Sequence, residues 1–312
     1  MKTNTALAAV VGAFAALWTA PAFSDALEGK MSPADVLDAT TAEDWRMISP
    51  ENLLVIQVES GQAVVALSPV LASENMAQIK RLASEGFYDG LSFYRVIDGF
   101  VAQGGDLFDE RGETFKVQPL SAQFDEKVSM ETLSFFRLKD GDGYAPEIGF
   151  VASLPTGLDR DQSTAWHLHC TGAFALGRNN ERDSAGSEFY ITLQPQRYLD
   201  RNLTVLGRVI YGMDVIQRLP RVAPASSRDE YLGETIISMR MMSDLPAAEQ
   251  TAFEILHSES PAFAKLAEAR RNRPEAFFYH RPDHLDVCAL PVPVRIIEAG
   301  RISDNSAEEG GE

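Results

Sequence analysis

GFYDGLSFYRVIDGFVAQGGD, residues 86–106, decides how the rest of the chain is read. Two short runs rich in aromatic and β-branched residues flank Asp98-Gly99, a dipeptide that tolerates the positive φ a tight hairpin turn demands. The stretch therefore reads as two antiparallel strands. Toward the N-terminus, LLVIQV (53–58) is a buried-looking run, residues 59–62 offer a glycine-containing turn, and QAVVALS (62–68) completes another hairpin. Between the hairpins, Met76, Ile79, Leu82 and Ala83 recur at helical spacing, with Ser73 in the place of an N-cap and Gly86 at the end. Toward the C-terminus, residues 107–165 are loop-rich, with acidic and Gly/Pro clusters. Strand patterns resume at GAFALGR (172–178), EFYITL (188–193) and LTVLGRVI (203–210); YGMDVIQRL (211–219) reads as a short helix and ETIISMRMM (234–242) as a closing strand. Many short strands with two or three helices and no regular βα alternation argue for a mainly β fold, an antiparallel barrel or sandwich with helices at its ends.

The flanks differ from this block. Lys2, the apolar run from Ala6 to Ala20 and the small-residue string APAFSDA (20–26) are the three parts of a secretory signal peptide, so residues 1–24 are expected to be removed after Ser24 or Ala22. That run is shorter than the roughly 20 residues a spanning helix needs. The expected mature protein is periplasmic or otherwise secreted, with no membrane span. Residues 25–50 form a polar lead-in in which Ser32-Pro33 opens a short helix. Residues 51–244 are the main domain. Beyond it, Pro246 to His257 and Pro261 to Arg271 read as two amphipathic helices, the second capped by Ser260. VCALPVPVRII (287–297) suits an edge strand or packed tail. The expected extension is thus helical, spans 245–301 and packs on the main domain, with a disordered tail at 302–312.

Forty-five acidic against 28 basic residues give a formal charge of -17, a surface that repels polyanions and argues against nucleic-acid binding. Two cysteines, Cys170 and Cys288, follow the leader. WHLHC (166–170) sets His167 and His169 beside Cys170, a possible metal set, but one further thiol and no second ligand cluster argue for no metal. An oxidising compartment favours a Cys170–Cys288 disulfide, with two buried thiols as the other reading.

FYRVIDGFVAQGGD (93–106) resembles the signature of the cyclophilins: an aromatic, an Arg, a Gly-Phe turn, then Gln and Gly-Gly-Asp. GAFALGRNNERDSAGSEFYITL (172–193) resembles the family's second active-site stretch, and YLDRNLTVLGRVIYGMDVI (198–216) its loop, final strands and following helix. The three motifs stand in the family's order over residues 50–242. With AEDWRMISPENLLVIQV (42–58) and the tail, the chain looks like an exported bacterial branch with a C-terminal extension. The resemblance implies a closed eight-stranded antiparallel barrel with two capping helices and a substrate groove on its outer face. It implies peptidyl-prolyl cis-trans isomerisation of proline-containing polypeptides, with no cofactor. It implies no oligomeric state.

By place in these motifs, Arg95 matches the catalytic donor. Phe100, Val101, Tyr190 and Leu199 match the apolar proline pocket, Leu206 backs it, and Gln103 matches the amide that hydrogen-bonds the substrate backbone. Six positions depart from the family pattern. Tyr198 stands where many members carry Trp, and Leu203 where many carry His, which makes the pocket more apolar. Glu188 replaces the usual Gln and is placed to pair with Arg95. Gly177-Arg178 replaces Ala-Asn, bringing a charge to the groove, and Tyr190 brings a hydroxyl to the pocket wall. The stretch from Asp106 to Gly172 is about twice the family's length, which implies a surface excursion near the groove. A catalytically weak module that only binds proline segments is the alternative, and an Arg95–Glu188 ion pair is its expected mark.

Overall fold

The computed structural model describes residues 29–297; the expected leader (1–24) and tail (302–312) lie outside the described residues. With strands numbered in chain order, eight close a barrel: β2 (Leu53–Val58), β3 (Gly61–Leu67), β4 (Ser92–Val96), β5 (Val101–Gly105), β11 (Ala173–Leu176), β12 (Phe189–Thr192), β13 (Val205–Tyr211) and β14 (Glu234–Met241). Their order is β11-β12-β5-β4-β14-β2-β3-β13, closing between β13 and β11, and every pairing is antiparallel. Closure leaves no edge strand exposed. The interior is packed with Ile56, Val65, Phe93, Phe174, Phe189, Ile191 and Leu206 among others. Helices α2 (Ser73–Ser84) and α3 (Met213–Arg218) add Met76, Ile79, Leu82, Val215 and Ile216 to the same core. They are the two expected capping helices. Ser73 is the first helical residue rather than the cap: Ala72, at φ 62°, holds that position and makes no side-chain cap.

Residues 107–165 are not merely loop. They carry β6 (Glu126–Lys127), β7 (Phe136–Arg137), β8 (Glu147–Val151), β9 (Leu154–Asp159) and β10 (Thr164–His167), which form a five-stranded sheet in the order β6-β10-β9-β8-β7. The C-terminal extension also departs from expectation. The segment read as a helix over 246–257 contains a strand, β15 (Ala252–Leu256), paired between β1 (Trp45–Met47) and β16 (Val294–Ile297). Among the described residues there, only α4 (Pro261–Asn272) is a substantial helix; Ser260 caps it by accepting the Phe263 N–H at 3.1 Å, with Pro261 at its first position. The lead-in helix α1 (Pro33–Asp38) opens at Ser32 through a reciprocal capping box with Asp35.

The extension packs on the barrel and, with more residues, on the inserted sheet. Leu256, Phe263, Leu266, Val287 and Leu290 share one core with Ile148, Phe150 and Trp166 of the insertion and Val36 of α1. Phe253 and Met242 cover the outer face of β2 and β3 at Leu53, Val55, Val64 and Ala66. The insertion and the extension are thus halves of one second lobe. Cys170 and Cys288 form a disulfide across that core, with their Cα atoms 5.0 Å apart.

Candidate active site

Directly opposed residues on paired strands present side chains to the same face of a sheet. Arg95 on β4 opposes Gln103 on β5, Gln103 opposes Tyr190 on β12, Tyr190 opposes Ala175 on β11, and Ala175 opposes Val205 on β13. One row of outward-facing residues therefore runs across five neighbouring strands. Their chain neighbours Ala102, Phe189, Ile191, Phe174, Leu176 and Leu206 point into the barrel. On β4 the register slips between Ser92 and Arg95. Phe93 and Val96 go inward, while Tyr94 and Arg95, though consecutive, both bond groups of the outer row. An extra residue in one strand has this effect.

Along this row an apolar pocket and a polar rim adjoin. Val101, Ala173, Ala175, Tyr190 and Val205 form a buried cluster separate from the barrel core, with Phe100, Leu199 and Leu203 packed against it. Five expected pocket residues are thus brought together. Leu206 is not among them: strand alternation turns it into the barrel, and Val205 takes the outward place. Tyr198, on the turn before Leu199, is 57% exposed and stands apart from the cluster.

At the rim, the Arg95 guanidinium lies 5.3 Å from the Phe100 ring centroid, and its Nη1 donates to Gln103 Oε1 at 3.1 Å. Gln103 Nε2 donates to the Tyr94 hydroxyl at 2.7 Å, and that hydroxyl donates to Glu188 Oε2. The chain of donors runs in one direction and ends on a carboxylate. Among the described residues no Arg95–Glu188 ion pair forms, so Glu188 meets Arg95 only through Tyr94 and Gln103. Burial pushes the Glu188 carboxyl up to about 7 from an ordinary 4.5, with Asp106 and Asp109 adding in the same direction against the Tyr94 hydrogen bond. Tyr94 itself is held far above the usual phenol range by burial and by the neighbouring Glu188. Glu188 fits only because position 105 is glycine: a Cβ there would come within 2.2 Å of Glu188 Oε1, at a φ of 142°.

Beyond this rim the groove deepens into a cavity of about 610 Å³ lined by Tyr94, Gln103, Asp106, Gly177, Arg178 and Glu188, with Leu107 to Pro119 of the inserted stretch forming its far side. The expected excursion thus builds a wall of the groove. Gly177 packs against Glu188, where a Cβ would lie 3.1 Å from the Glu188 Cβ. Arg178 lines this cavity with a guanidinium fixed by its neighbours. Its guanidinium donates to the carbonyls of Asn179, Asn180 and Asn202 and lies over the Phe124 ring.

The two histidines of WHLHC serve separate networks. His167 bonds Thr156 and Ser68, at 3.0 and 2.7 Å, whereas His169 bonds Asp200 and Tyr190. Among the described residues no three His, Cys, Asp or Glu side chains gather as a metal set. The Tyr190 hydroxyl therefore faces His169 at 2.8 Å rather than the pocket. Sequence reasoning missed Tyr94, Val205, Ala173 and Ala175. The outward period of β11 and β13 could have found the last three; Tyr94 depends on the slip in β4.

The outer face of a closed eight-stranded barrel thus carries an Arg–Gln rim beside an apolar pocket. The chain matches the family model described as cyclophilin type peptidyl-prolyl cis-trans isomerase over residues 53–241, more than half its length, and it belongs to that family. A probable peptidyl-prolyl cis-trans isomerase of Brucella suis biovar 1 (strain 1330) is 29% identical over 178 residues, covering 57% of this chain and 76% of that one. Peptidyl-prolyl cis-trans isomerase B of Bacillus subtilis (strain 168) is 29% identical over 153 residues, covering 49% and 79%. Among solved structures, cyclophilin AquaCyp293 from Hirschia baltica shares the fold with a TM-score of 0.66 at 24% identity, over 82% of this chain and 97% of that one. That coverage extends beyond the barrel. The chain is a peptidyl-prolyl cis-trans isomerase, and the substrates of such enzymes are proline-containing polypeptides.

Proposed function

We propose that the protein is a foldase acting on X–Pro bonds of exported proteins, with Arg95 hydrogen-bonding the prolyl nitrogen in the twisted transition state. The amide's resonance sets a barrier of about 18–20 kcal/mol. Bringing exchange from tens of seconds to milliseconds removes roughly 6–7 kcal/mol of it. No covalent bond breaks, so neither nucleophile nor metal is required. A donor aimed at the prolyl nitrogen helps because the nitrogen lone pair is freed only as the amide twists, so the interaction strengthens in the transition state.

The observation that carries this reading is the adjacency of Arg95 and the pocket through Phe100. The guanidinium lies over the same ring that packs with Val101, Tyr190, Leu199 and Leu203. On this reading a proline ring seated in that pocket brings its nitrogen toward the guanidinium, and the Gln103 amide, one strand over, serves the substrate backbone; the pairing of Arg95 with Gln103 supports it. Arg suits the task because its charge is permanent and its donors are fixed in a plane. The binding-module alternative loses its expected mark, since Arg95 is free of Glu188. Export rests on the reading of residues 1–24.

Two assays test the proposal. The slow, proline-limited refolding phase of an exported protein should accelerate with catalytic amounts of the full mature chain and not with its Arg95→Ala variant. N-terminal sequencing of the chain recovered after expression in a Gram-negative host should find it in the periplasm, cut after Ser24 or Ala22. An uncut chain retained in the cytosol overturns the export half.

A further inference from the structure

A second line of buried polar groups leads away from the proline pocket. The Tyr190 hydroxyl lies 2.8 Å from His169 Nε2, and His169 Nδ1 lies 2.9 Å from Asp200 Oδ1. The same carboxylate oxygen accepts the His169 backbone N–H at 2.9 Å, and Asp200 Oδ2 accepts Arg197 Nε at 2.5 Å. The two Nη atoms of Arg197 then grip both oxygens of Asp142, each at 2.8 Å. Asp142 lies in the inserted stretch between β7 and β8, where it also accepts the N–H groups of Tyr144 and Ala145. The His169 side chain is 0% exposed, Asp200 3% and Arg197 9%.

Donor chemistry gives this line a direction. Asp200 is an acceptor held by a guanidinium, so His169 presents its proton at Nδ1. In the neutral imidazole Nε2 is left as an acceptor and the Tyr190 hydroxyl donates to it; in the imidazolium the same contact runs the other way. The imidazole and phenol rings lie nearly parallel, 11° apart, so the phenol is held by its end and along its face. A pocket wall carrying phenylalanine at position 190 would have packing alone to hold it. Here the wall is hydrogen-bonded to a charged network anchored in the second lobe.

We infer that His169 and Asp200 are positioning residues for the isomerase reaction, holding Tyr190 as a fixed wall of the proline pocket and tying it through Arg197 to Asp142 of the inserted sheet. The inference rests on the proposed proline-binding role of the pocket. A wall that holds the proline side of the bond while the other side turns acts in ground and transition states alike, so its loosening shows in KM more than in kcat.

The test compares the full mature chain with Tyr190→Phe, Asp142→Asn and the double variant, reading KM and kcat for a short Ala-Pro peptide by exchange NMR. Tyr190→Phe keeps the ring and removes one hydroxyl, so it should raise KM about 3- to 10-fold, the equivalent of one buried hydrogen bond, and change kcat less than twofold. Asp142→Asn touches no pocket residue and should raise KM about 2- to 3-fold, an effect that vanishes in the Tyr190→Phe background because both act through one chain. KM unchanged in both single variants overturns the inference, as do effects that simply add in the double variant. A parent chain that neither binds nor exchanges the peptide sinks the isomerase reading instead. The tether is then read from the ¹⁵N shift of His169 Nε2: a shift that moves in Tyr190→Phe supports it, and an Nε2 resonance unchanged by that substitution overturns it.

Discussion

Replacing Glu188 with glutamine keeps an oxygen for the Tyr94 hydroxyl and removes the negative charge on which the donor chain from Arg95 ends. The carboxyl sits at about 7 because burial raises it from 4.5, with Asp106 and Asp109 nearby and Tyr94 opposing. It is about 90% protonated at pH 6 and about 90% ionised at pH 8. When ionised it accepts a charge-assisted hydrogen bond, roughly twice as strong as a neutral one. That keeps Tyr94, Gln103 and Arg95 in one polarity. A loss of about 1 kcal/mol on protonation corresponds to roughly a 5-fold fall in kcat/KM. Wild-type kcat/KM for an Ala-Pro peptide should therefore drop about 5-fold from its alkaline to its acid plateau, about 3-fold of it between pH 8 and pH 6, with a midpoint near 7, and Glu188→Gln should flatten that step. Stability moves the other way. A carboxyl whose folded pKa is raised contributes stability that is full below about 4.5 and is lost as pH rises through about 7. The cost above that window is of order 3 kcal/mol. Glu188→Gln should then raise the melting temperature at pH 8 and not at pH 4. A wild-type profile flat from pH 5.5 to 8.5, or the same midpoint in the variant, refutes the reasoning.

Two further substitutions separate pocket from core. Leu206→Ala removes a fully buried side chain from the barrel interior and should cost about 2–5 kcal/mol in denaturant unfolding while leaving the peptide KM unchanged. Val205→Ala, one residue earlier and facing the pocket, should raise KM and cost less stability than Leu206→Ala, because it removes a smaller buried side chain. The disulfide closes a sequence separation of 118, so Cys288→Ser should destabilise the chain by about 4–5 kcal/mol in the chain-entropy picture, read from melts of both proteins without reductant.

The parts of the fold legible in the sequence are those whose signals are local. Gly99, at φ 65°, supplies the turn that Asp98-Gly99 announces, and alternation along β5, β11 and β12 sorts pocket from core. The inserted sheet was hidden because its β8–β9 hairpin turns at Ala152-Ser153. Both residues have positive φ, 49° and 65°, in a place where Asn-Gly or Asp-Gly is the recognisable signal. Ser153 is held there from outside, through Ser258 and the Leu256 carbonyl. The strand at 252–256 carries a helical pattern in the sequence because its partners are remote: Leu256 pairs with Trp45 and Ala252 with Ile297. Five residues carry too little periodicity to outweigh helical neighbours. The same remoteness hid the role of His169, whose imidazole partners are 21 and 31 residues away and make a tether of what looked like half a metal site.

The central claim is that Arg95 stabilises the twisted amide. Exchange NMR on a short Ala-Pro peptide, with the mature chain and its Arg95→Ala variant at equal folded concentration, tests it most directly. Loss of about 10²–10³ in catalysed exchange, with peptide binding retained, is the expected result for removing one transition-state donor. Exchange that persists at the wild-type rate in the variant contradicts the claim and leaves the pocket, not the arginine, as the source of catalysis.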